Sequence, residues 1–298
     1  MNILIIGGYS FLGLKLLKDL KKNIPLVNIY ISTSRKEVAE ENILFIDYSN
    51  AESINNLLSI TEPDYIFHLA SSCLRNSSEN SLKEGRVRDD NILKALTNSK
   101  LKSKIIFVSS MAVFSMSDKE ISPMKWCPES DYGHEKLYMI NQLLNFEIDN
   151  KEFSCKVIYP SSIYGKGQDG KMFLPRFLKH IKKNKLMEAY GGHKKRDYIN
   201  VKDVVKGLVQ LVLNYDKYPS KHIFLHSFSL LKINEIADLV CTIKGLKPSE
   251  VIFFQDSKEE VANDAMEYQV VSKEFNSLDE FPVNIPILAG LKEMFNET

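Results

Sequence analysis

The sequence is short of several things, and each shortage excludes something. Its apolar runs, such as Ile3 to Ile6, fall far below the roughly 20 residues of a membrane-crossing helix. Met1-Asn2-Ile3 lacks the charged start of a secretory signal, so a cytoplasmic protein is expected. The four cysteines, Cys73, Cys127, Cys155 and Cys241, stand dozens of residues apart. They lack the paired spacing of a metal site or disulfide framework and read as small buried hydrophobes; no metal is expected. Neither sign of charge dominates: 39 Lys and Arg face 38 Asp and Glu, mixed along the whole length. That argues against nucleic acid or a membrane surface as partner. Arginine is scarce, at positions 35, 75, 86, 88, 176 and 196, so each arginine is worth inspecting.

What is present suits a packed enzyme-sized core. Over 298 residues, 44% are apolar, enough for one large or two modest domains. Short apolar runs at Asn2 to Ile6, Val27 to Ile31, Ile43 to Ile46, Tyr65 to Leu69, Lys104 to Ser109 and Ser154 to Ile158 read as strands. Amphipathic stretches at Phe11 to Lys22, Ala51 to Ile60, Glu79 to Ser99 and Asp131 to Asp149 lie between them. The alternation predicts an α/β fold, a Rossmann-type doubly wound parallel sheet covered on both faces. After Pro160 the rhythm breaks into loops, basic helices and isolated strands, with glycines at Gly165 to Gly170 and Gly191-Gly192. A smaller, interleaved C-terminal substrate lobe is expected. The dinucleotide-binding domain is expected to take residues 1–165 plus about 193–228, and the lobe about 166–192 and 229–298, with a cleft between.

Gly7-Gly8-Tyr9-Ser10-Phe11-Leu12-Gly13 follows the first strand and opens the first helix. Glycine there lets backbone approach a pyrophosphate, and the helix N-terminus offers N–H groups and partial positive charge. Ser10 stands where a third glycine often falls, so the turn must tolerate a small side chain. At the end of the second strand an acid would suit the ribose hydroxyls of NAD, whereas hydroxyl and basic groups suit a 2′-phosphate. Ser32-Thr33-Ser34-Arg35-Lys36 contains no acid, which favours NADP, with NAD as the alternative. Arg35 and Lys36 also read as ordinary solvated loop charges.

Tyr-x-x-x-Lys occurs three times, at Tyr132/Lys136, Tyr190/Lys194 and Tyr198/Lys202, so spacing alone decides nothing. Tyr132 opens a long helical stretch after a strand ending in Ser109-Ser110, and positions four apart share a helix face. A phenol near pKa 10 is a poor acid or base at neutral pH unless an adjacent ammonium favours its phenolate. Ser110, at the carboxyl end of a parallel strand, can hydrogen-bond the reacting oxygen.

On these residues the chain resembles the extended short-chain dehydrogenase/reductases, the NAD-dependent epimerase/dehydratase family. The matches run in order: Gly7 to Gly13, Pro63-Asp64 before Phe67-His68-Leu69-Ala70, Val108 to Phe114, Tyr132 to Leu137, Tyr159 to Gly165, and Arg196 to Val204. The resemblance implies catalytic roles for Ser110, Tyr132 and Lys136. It implies cofactor contacts at Gly7, Tyr9, Ser10, Phe11, Leu12, Ser34, Arg35, Asp47, Tyr48, Leu69, Ala70, Ser71, Tyr159 and Ser162, with Asp47 on the adenine amino group. Arg196 resembles the arginine that grips a nucleotide diphosphate, a task suited to a bidentate guanidinium; the competing reading is a surface ion pair with Asp197. The two long helices, Glu79 to Ser99 and Asp131 to Asp149, resemble the pair that builds a two-fold dimer, so a homodimer is expected.

Two departures shape the functional expectation. Dehydrating members carry acids just after the catalytic Ser or Thr, where this chain has Met111-Ala112. Near the C-terminus, where many members place another arginine, it reads Ser257 to Val261. The stretch Arg196 to Asp203 followed by Lys258 to Ala262 is similar to the CDP-paratose and CDP-abequose synthase type of 4-ketoreductase. The resemblance therefore implies NADPH-dependent reduction of a nucleotide-linked 4-keto-6-deoxy sugar, with a 4-epimerase as the alternative. A catalytically silent dinucleotide sensor and a reductase of nucleotide-free carbonyls are lesser readings. Among other residues, His68 reads as a structural histidine near the cofactor, His134 as facing away from Tyr132, and Lys179 to Lys185 as a solvated helix face. Asn91 reads as a packing or capping group, or a support for a proton relay by family analogy.

Overall fold

The computed structural model describes residues 1–34, 43–70, 79–99, 101–115, 119–123, 125–168, 170, 172–227, 229–255, 270–272, 275 and 285–295. The first half runs β1 (Asn2–Ile6), α1 (Phe11–Asn23), β2 (Asn28–Thr33), β3 (Ile43–Phe45), α2 (Ala51–Thr61), β4 (Tyr65–His68), α3 (Glu79–Ser99) and β5 (Lys104–Val108). After a single 3₁₀ turn at Met111–Val113 come β6 (Glu120–Ile121), α4 (Asp131–Asp149), β7 (Ser154–Pro160) and β8 (Ser162–Tyr164). The second half supplies α5 (Phe173–Lys182), β9 (Met187–Tyr190), β10 (Lys195–Asn200), α6 (Val201–Asn214), β11 (His222–Leu225) and β12 (Leu230–Lys232). It ends with α7 (Ile233–Lys244), α8 (Pro248–Val251), β13 (Ile252–Gln255), β14 (Val270–Val271) and α9 (Ile287–Phe295).

Seven strands form one sheet in the order β11-β7-β5-β4-β1-β2-β3, every neighbouring pair parallel. Successive strand residues point to opposite faces, and the sequence uses this to build two cores. Leu4 and Ile6 face one side with α2, α3 and α4 residues such as Ile54, Ile92 and Met139. Ile3 and Ile5 face the other, with Leu16 and Leu20 of α1 and Val204 and Leu208 of α6. Both faces are covered, which is why the strands read as unbroken apolar runs. The chain winds outward from β1 to β3 and then returns to β4 on the other side of β1. Strand order reverses between β1 and β4, and open α/β sheets take their ligands at the carboxyl ends of such strands.

The strands and helices expected from the first half lie within a few residues of those observed. A seventh strand, β11, joins the sheet beside β7 with Phe224 opposite Tyr159. Beyond the main sheet, β8, β10 and β12 form a three-stranded sheet, and β9 with β13 a two-stranded one. A third apolar cluster gathers Leu174 and Phe177 of α5, Ile236 and Val240 of α7, and Leu291 and Phe295 of α9. Asp197 of β10 ties this region to the main sheet: it is fully buried and accepts hydrogen bonds from the Ser227 N–H at 3.2 Å and from its hydroxyl. Among the described residues, no helix is long and apolar enough to cross a membrane.

Candidate active site

The glycine turn sits at the switch point, between the ends of β1 and β4. Gly7 has φ +74°, and a Cβ there would lie 2.8 Å from the Ala70 nitrogen, so a side chain would push the two strand ends apart. Gly8 and Gly13 touch closely enough that a Cβ on Gly13 would fall 2.3 Å from the Gly8 carbonyl oxygen. Ser10 is the N-cap of α1: its backbone is extended and its Oγ accepts from the Gly13 N–H at 3.1 Å. The third-glycine position is thus occupied by the residue that starts the helix. First-turn amides of a helix lack intrahelical acceptors and attract anions. This cradle fits a dinucleotide pyrophosphate; Tyr9, Phe11 and Leu12, next to Ser10 in the chain, are half-buried.

Other residues assigned to the cofactor take several different positions. Tyr48 reaches beneath the turn: its hydroxyl lies 2.8 Å from Ser32 Oγ and accepts from the Gly7 N–H at 3.4 Å. Burial pushes that phenol above its ordinary value, so it stays neutral. Asn91 Nδ2 donates to the Tyr48 carbonyl at 3.1 Å, which makes it a brace for this loop. Ser34 is exposed past the end of β2, and Asp47 is exposed beyond β3, where it accepts from the Ser49 N–H and hydroxyl at 2.9 and 2.6 Å. Leu69 and Ala70 close the turn from β4, the Leu69 N–H donating to the Ile6 carbonyl at 3.0 Å. Tyr159 differs: its ring is fully buried among Phe114 and Phe275, and its hydroxyl bonds His222 Nδ1 at 2.9 Å. Its side chain is spent on the core. Ser162 begins β8, opposite Tyr198. Arg35 and Ser71 lie outside the described residues, as does Lys258 to Ala262.

Ser110, Tyr132 and Lys136 come together at the carboxyl end of β5. Lys136, 3% exposed, donates from Nζ to the Val108 carbonyl at 3.3 Å and lies 5.9 Å from the centre of the Tyr132 ring. Its other face meets the Phe107 ring at 5.0 Å. Ser110 caps the 3₁₀ turn, its Oγ accepting from the Ala112 N–H at 3.2 Å. A hydroxyl has one proton to give, and this geometry leaves the Ser110 O–H for a substrate oxygen. Ser130 caps α4 in the same way as Ser10 caps α1, accepting from the Gly133 N–H at 3.1 Å. Gly133 lets α4 lie directly on the turn: a Cβ there would be 2.1 Å from the Ala112 carbonyl oxygen. Tyr132 is carried up to the Ser110 turn because its neighbour has no side chain.

The other two Tyr-x-x-x-Lys spacings make no such pair. Tyr190 is exposed at the end of β9, with Lys194 across a turn. Tyr198 is buried in the third apolar cluster, and Lys202 pairs with Glu293 at 2.6 Å. Arg196 lies on β10, half-buried. Asp197 follows it on the opposite face of the strand and accepts from the Ser227 N–H and hydroxyl. His134 is exposed.

Sequence reasoning missed a buried ionic chain beside these groups. His68 Nε2 contacts Asp89 Oδ1 at 3.2 Å, Arg88 Nε donates to the same oxygen at 2.8 Å, and Arg88 donates to Glu135 Oε1 at 2.9 Å. Arg88, Asp89 and Glu135 are 7%, 2% and 2% exposed. Burial lowers the His68 pKa, although Asp89 pulls the other way, so the imidazole is neutral. Burial pushes Asp89 up, but the His68 hydrogen bond and the Arg88 charge prevail and hold it below the usual carboxylate value. The scarcity of arginine was the one signal that pointed to Arg88.

The same residues fall within a match to known proteins. The model of the NAD dependent epimerase/dehydratase family matches residues 3–225. The chain is 24% identical, over 226 residues, to a GDP-6-deoxy-D-talose 4-dehydrogenase of Aggregatibacter actinomycetemcomitans, a match covering 71% of this chain and 70% of the relative. Its fold is similar to that of UDP-glucose 4-epimerase from Thermotoga maritima, crystallised with UDP-glucose, at TM-score 0.82 and 19% identity over 99% of this chain and 98% of the other. It is similar also to UDP-glucuronic acid 4-epimerase from Bacillus cereus, solved with UDP-glucuronic acid and NAD, at TM-score 0.80, 19% identity and the same coverage.

Proposed function

The chain belongs to the NAD dependent epimerase/dehydratase family, and on that premise we propose that it reduces a nucleotide-linked 4-keto-6-deoxy sugar with NADPH. The observation that carries the reading is the meeting of Ser110, Tyr132 and Lys136 at the end of β5, with β4 between it and the strand that leads into the glycine turn. The dinucleotide, when bound, supplies the hydride that reaches the carbonyl carbon. Ser110 hydrogen-bonds the carbonyl oxygen, and Tyr132 gives that oxygen its proton as charge develops there. Lys136 favours the phenolate left on Tyr132, which then takes a proton from solvent. Arg196 holds the diphosphate of the sugar nucleotide and so fixes the distance from diphosphate to reacting carbon.

Three observations support this reaction over its relatives. Met111 and Ala112, at 2% and 5% exposure, put buried apolar groups where dehydration would call for acids. No acid follows β2 at Thr33-Ser34, which supports NADPH, although the Bacillus cereus neighbour was solved with NAD. The relative named a 6-deoxy-D-talose 4-dehydrogenase bears a name for oxidation at the same carbon, and that reaction run backward is 4-keto reduction. The second reading is a 4-epimerase, favoured by the 4-epimerase names of the two solved neighbours. Offering purified protein NADPH and NADH with a panel of 4-keto-6-deoxy nucleotide sugars tests both. The reductase reading expects stoichiometric loss of NADPH and appearance of the 6-deoxy alcohol. Retained NAD with interconversion of 4-epimers and no net redox change would replace it with the epimerase.

A further inference from the structure

Glu135 is an unusual neighbour for a phenol that must ionise. On a helix, positions three and four apart lie on one face, so Tyr132 has a carboxylate at the third position and the Lys136 ammonium at the fourth. Both are buried, at 2% and 3% exposure, so water screens neither well. The carboxylate opposes what the ammonium does: a negative charge nearby disfavours the phenolate and a positive one favours it. Left alone, Glu135 would cancel Lys136.

Arg88 prevents that. Its guanidinium reaches across from α3 to Glu135 Oε1 at 2.9 Å and is itself held by Asp89 at 2.8 Å. Asp89 in turn fixes His68 at the end of β4, whose ring packs on Phe107, the same ring that Lys136 covers. The remaining titratable groups around this point have other engagements. Burial keeps His68 neutral. Asp90 accepts from the Tyr138 hydroxyl at 2.5 Å, and Arg86 lies over the Tyr138 ring. Asp131 and His134 are exposed, β5 contributes Phe107 and Val108, and the Met111–Val113 turn is apolar. Arg88, Lys136, Asp89 and Glu135 then sum to no net charge.

We propose that Arg88 is a positioning residue for the Tyr132–Lys136 couple: by neutralising Glu135 it leaves the Lys136 ammonium to act on the phenol. The assignment rests on the reading of Tyr132 and Lys136 as the catalytic pair, but not on which sugar is the substrate. Removing one partner moves the net charge near Tyr132 away from zero, in opposite directions for the two partners. Glu135→Gln keeps shape and removes a negative charge, so the phenol should ionise at lower pH. Arg88→Met leaves two carboxylates against one ammonium, so it should ionise at higher pH. A charge moved within such a buried site shifts a neighbour by about one pH unit.

The experiment follows Tyr132 itself, in protein without substrate, by fluorotyrosine NMR, with Tyr132→Phe identifying its signal. Expected are a midpoint about one pH unit lower in Glu135→Gln, a similar rise in Arg88→Met, and near-native titration in the double variant and in Arg88→Lys. A purely structural ion pair would leave the midpoint in place in every variant that folds. Unmoved midpoints, or single variants moving in the same direction, overturn the proposal. If Arg88→Met does not fold, Glu135→Gln decides alone. Since the signal is read without sugar, failure of every 4-keto substrate would count against the proposed function and not against this assignment.

Discussion

Replacing Gly133 with alanine sets two effects against each other at one atom, and the structure says which prevails. Inside a helix, alanine is favoured over glycine by about 1 kcal/mol. Against that, the new Cβ would stand 2.1 Å from the Ala112 carbonyl oxygen and 2.9 Å from Pro128 Cβ. Ordinary contact begins near 3.4 Å, so α4 and the Met111–Val113 turn would have to part by more than an ångström. The obstruction is backbone, which cannot rotate away as a side-chain tip can. Overpacking of this kind costs about 1–3 kcal/mol, occasionally more, and the rigid partner puts it at the upper end. A net loss of about 1–2 kcal/mol is expected, a fall of roughly 2–8 °C in Tm for a domain of this size. The same displacement moves Tyr132 away from Ser110, and an error of about 1 Å in a reacting group can lower kcat about 100-fold. Urea and thermal unfolding, with kcat measured on the folded fraction, read both effects. A variant as stable as the wild type or more so, with kcat unchanged, would show that Gly133 does not set the approach of α4 to Ser110.

Further outcomes follow from the same geometry. Tyr132→Phe should lower kcat by about 10²–10⁴-fold through loss of the proton donor, while dinucleotide binding measured by fluorescence quenching persists; unchanged turnover would remove Tyr132 from the chemistry. Ser10→Ala should cost about 1 kcal/mol of stability by uncapping α1 and weaken dinucleotide binding in the same variant; an unaltered Kd would separate the cap from the cradle. Burial holds His68 and His226 below their ordinary pKa, His226 at about 3. The unfolded chain takes up protons near pH 6.5 that the folded protein refuses, so stability is full above that pH and declines as pH falls through it. Each histidine contributes up to about 1.4 kcal/mol per pH unit below that point. Urea unfolding between about pH 7.5 and 5.5 should show the decline, with a shallower slope in His226→Phe; a flat profile would mean neither imidazole is held neutral.

Much of this arrangement was legible in the sequence, for identifiable reasons. β1 and its glycine turn stand out because buried parallel strands are apolar on both faces and the turn comes directly after one. Tyr132 and Lys136 could be chosen over two rival pairs because a helix puts the fourth residue on the same face, and a strand ending in Ser109-Ser110 came before them. Other features are set by contacts distant in sequence. β11 contributes three apolar residues, Ile223 to Leu225, and finds its place beside β7 only through a pairing 65 positions away, as in Ile223 with Ile158. The direction of the Tyr159 side chain depends on strand register, which a motif match does not carry. Polar residues on an amphipathic helix usually face water, and nothing in the local sequence marks Arg88, Asp89 and Glu135 as groups that α3 and α4 bury.

In the proposed reaction one substrate oxygen is met by Ser110 and Tyr132 while Lys136 stands beside the phenol. A crystal structure of the Tyr132→Phe variant with NADP and a 4-keto-6-deoxy nucleotide sugar tests it directly. The account predicts Ser110 Oγ within about 3 Å of the sugar O4, the edge of the substituted ring facing the same atom, and the pyrophosphate over Gly7 and Ser10. A sugar bound away from Ser110, or a dinucleotide that does not reach the turn between β1 and β4, would contradict it.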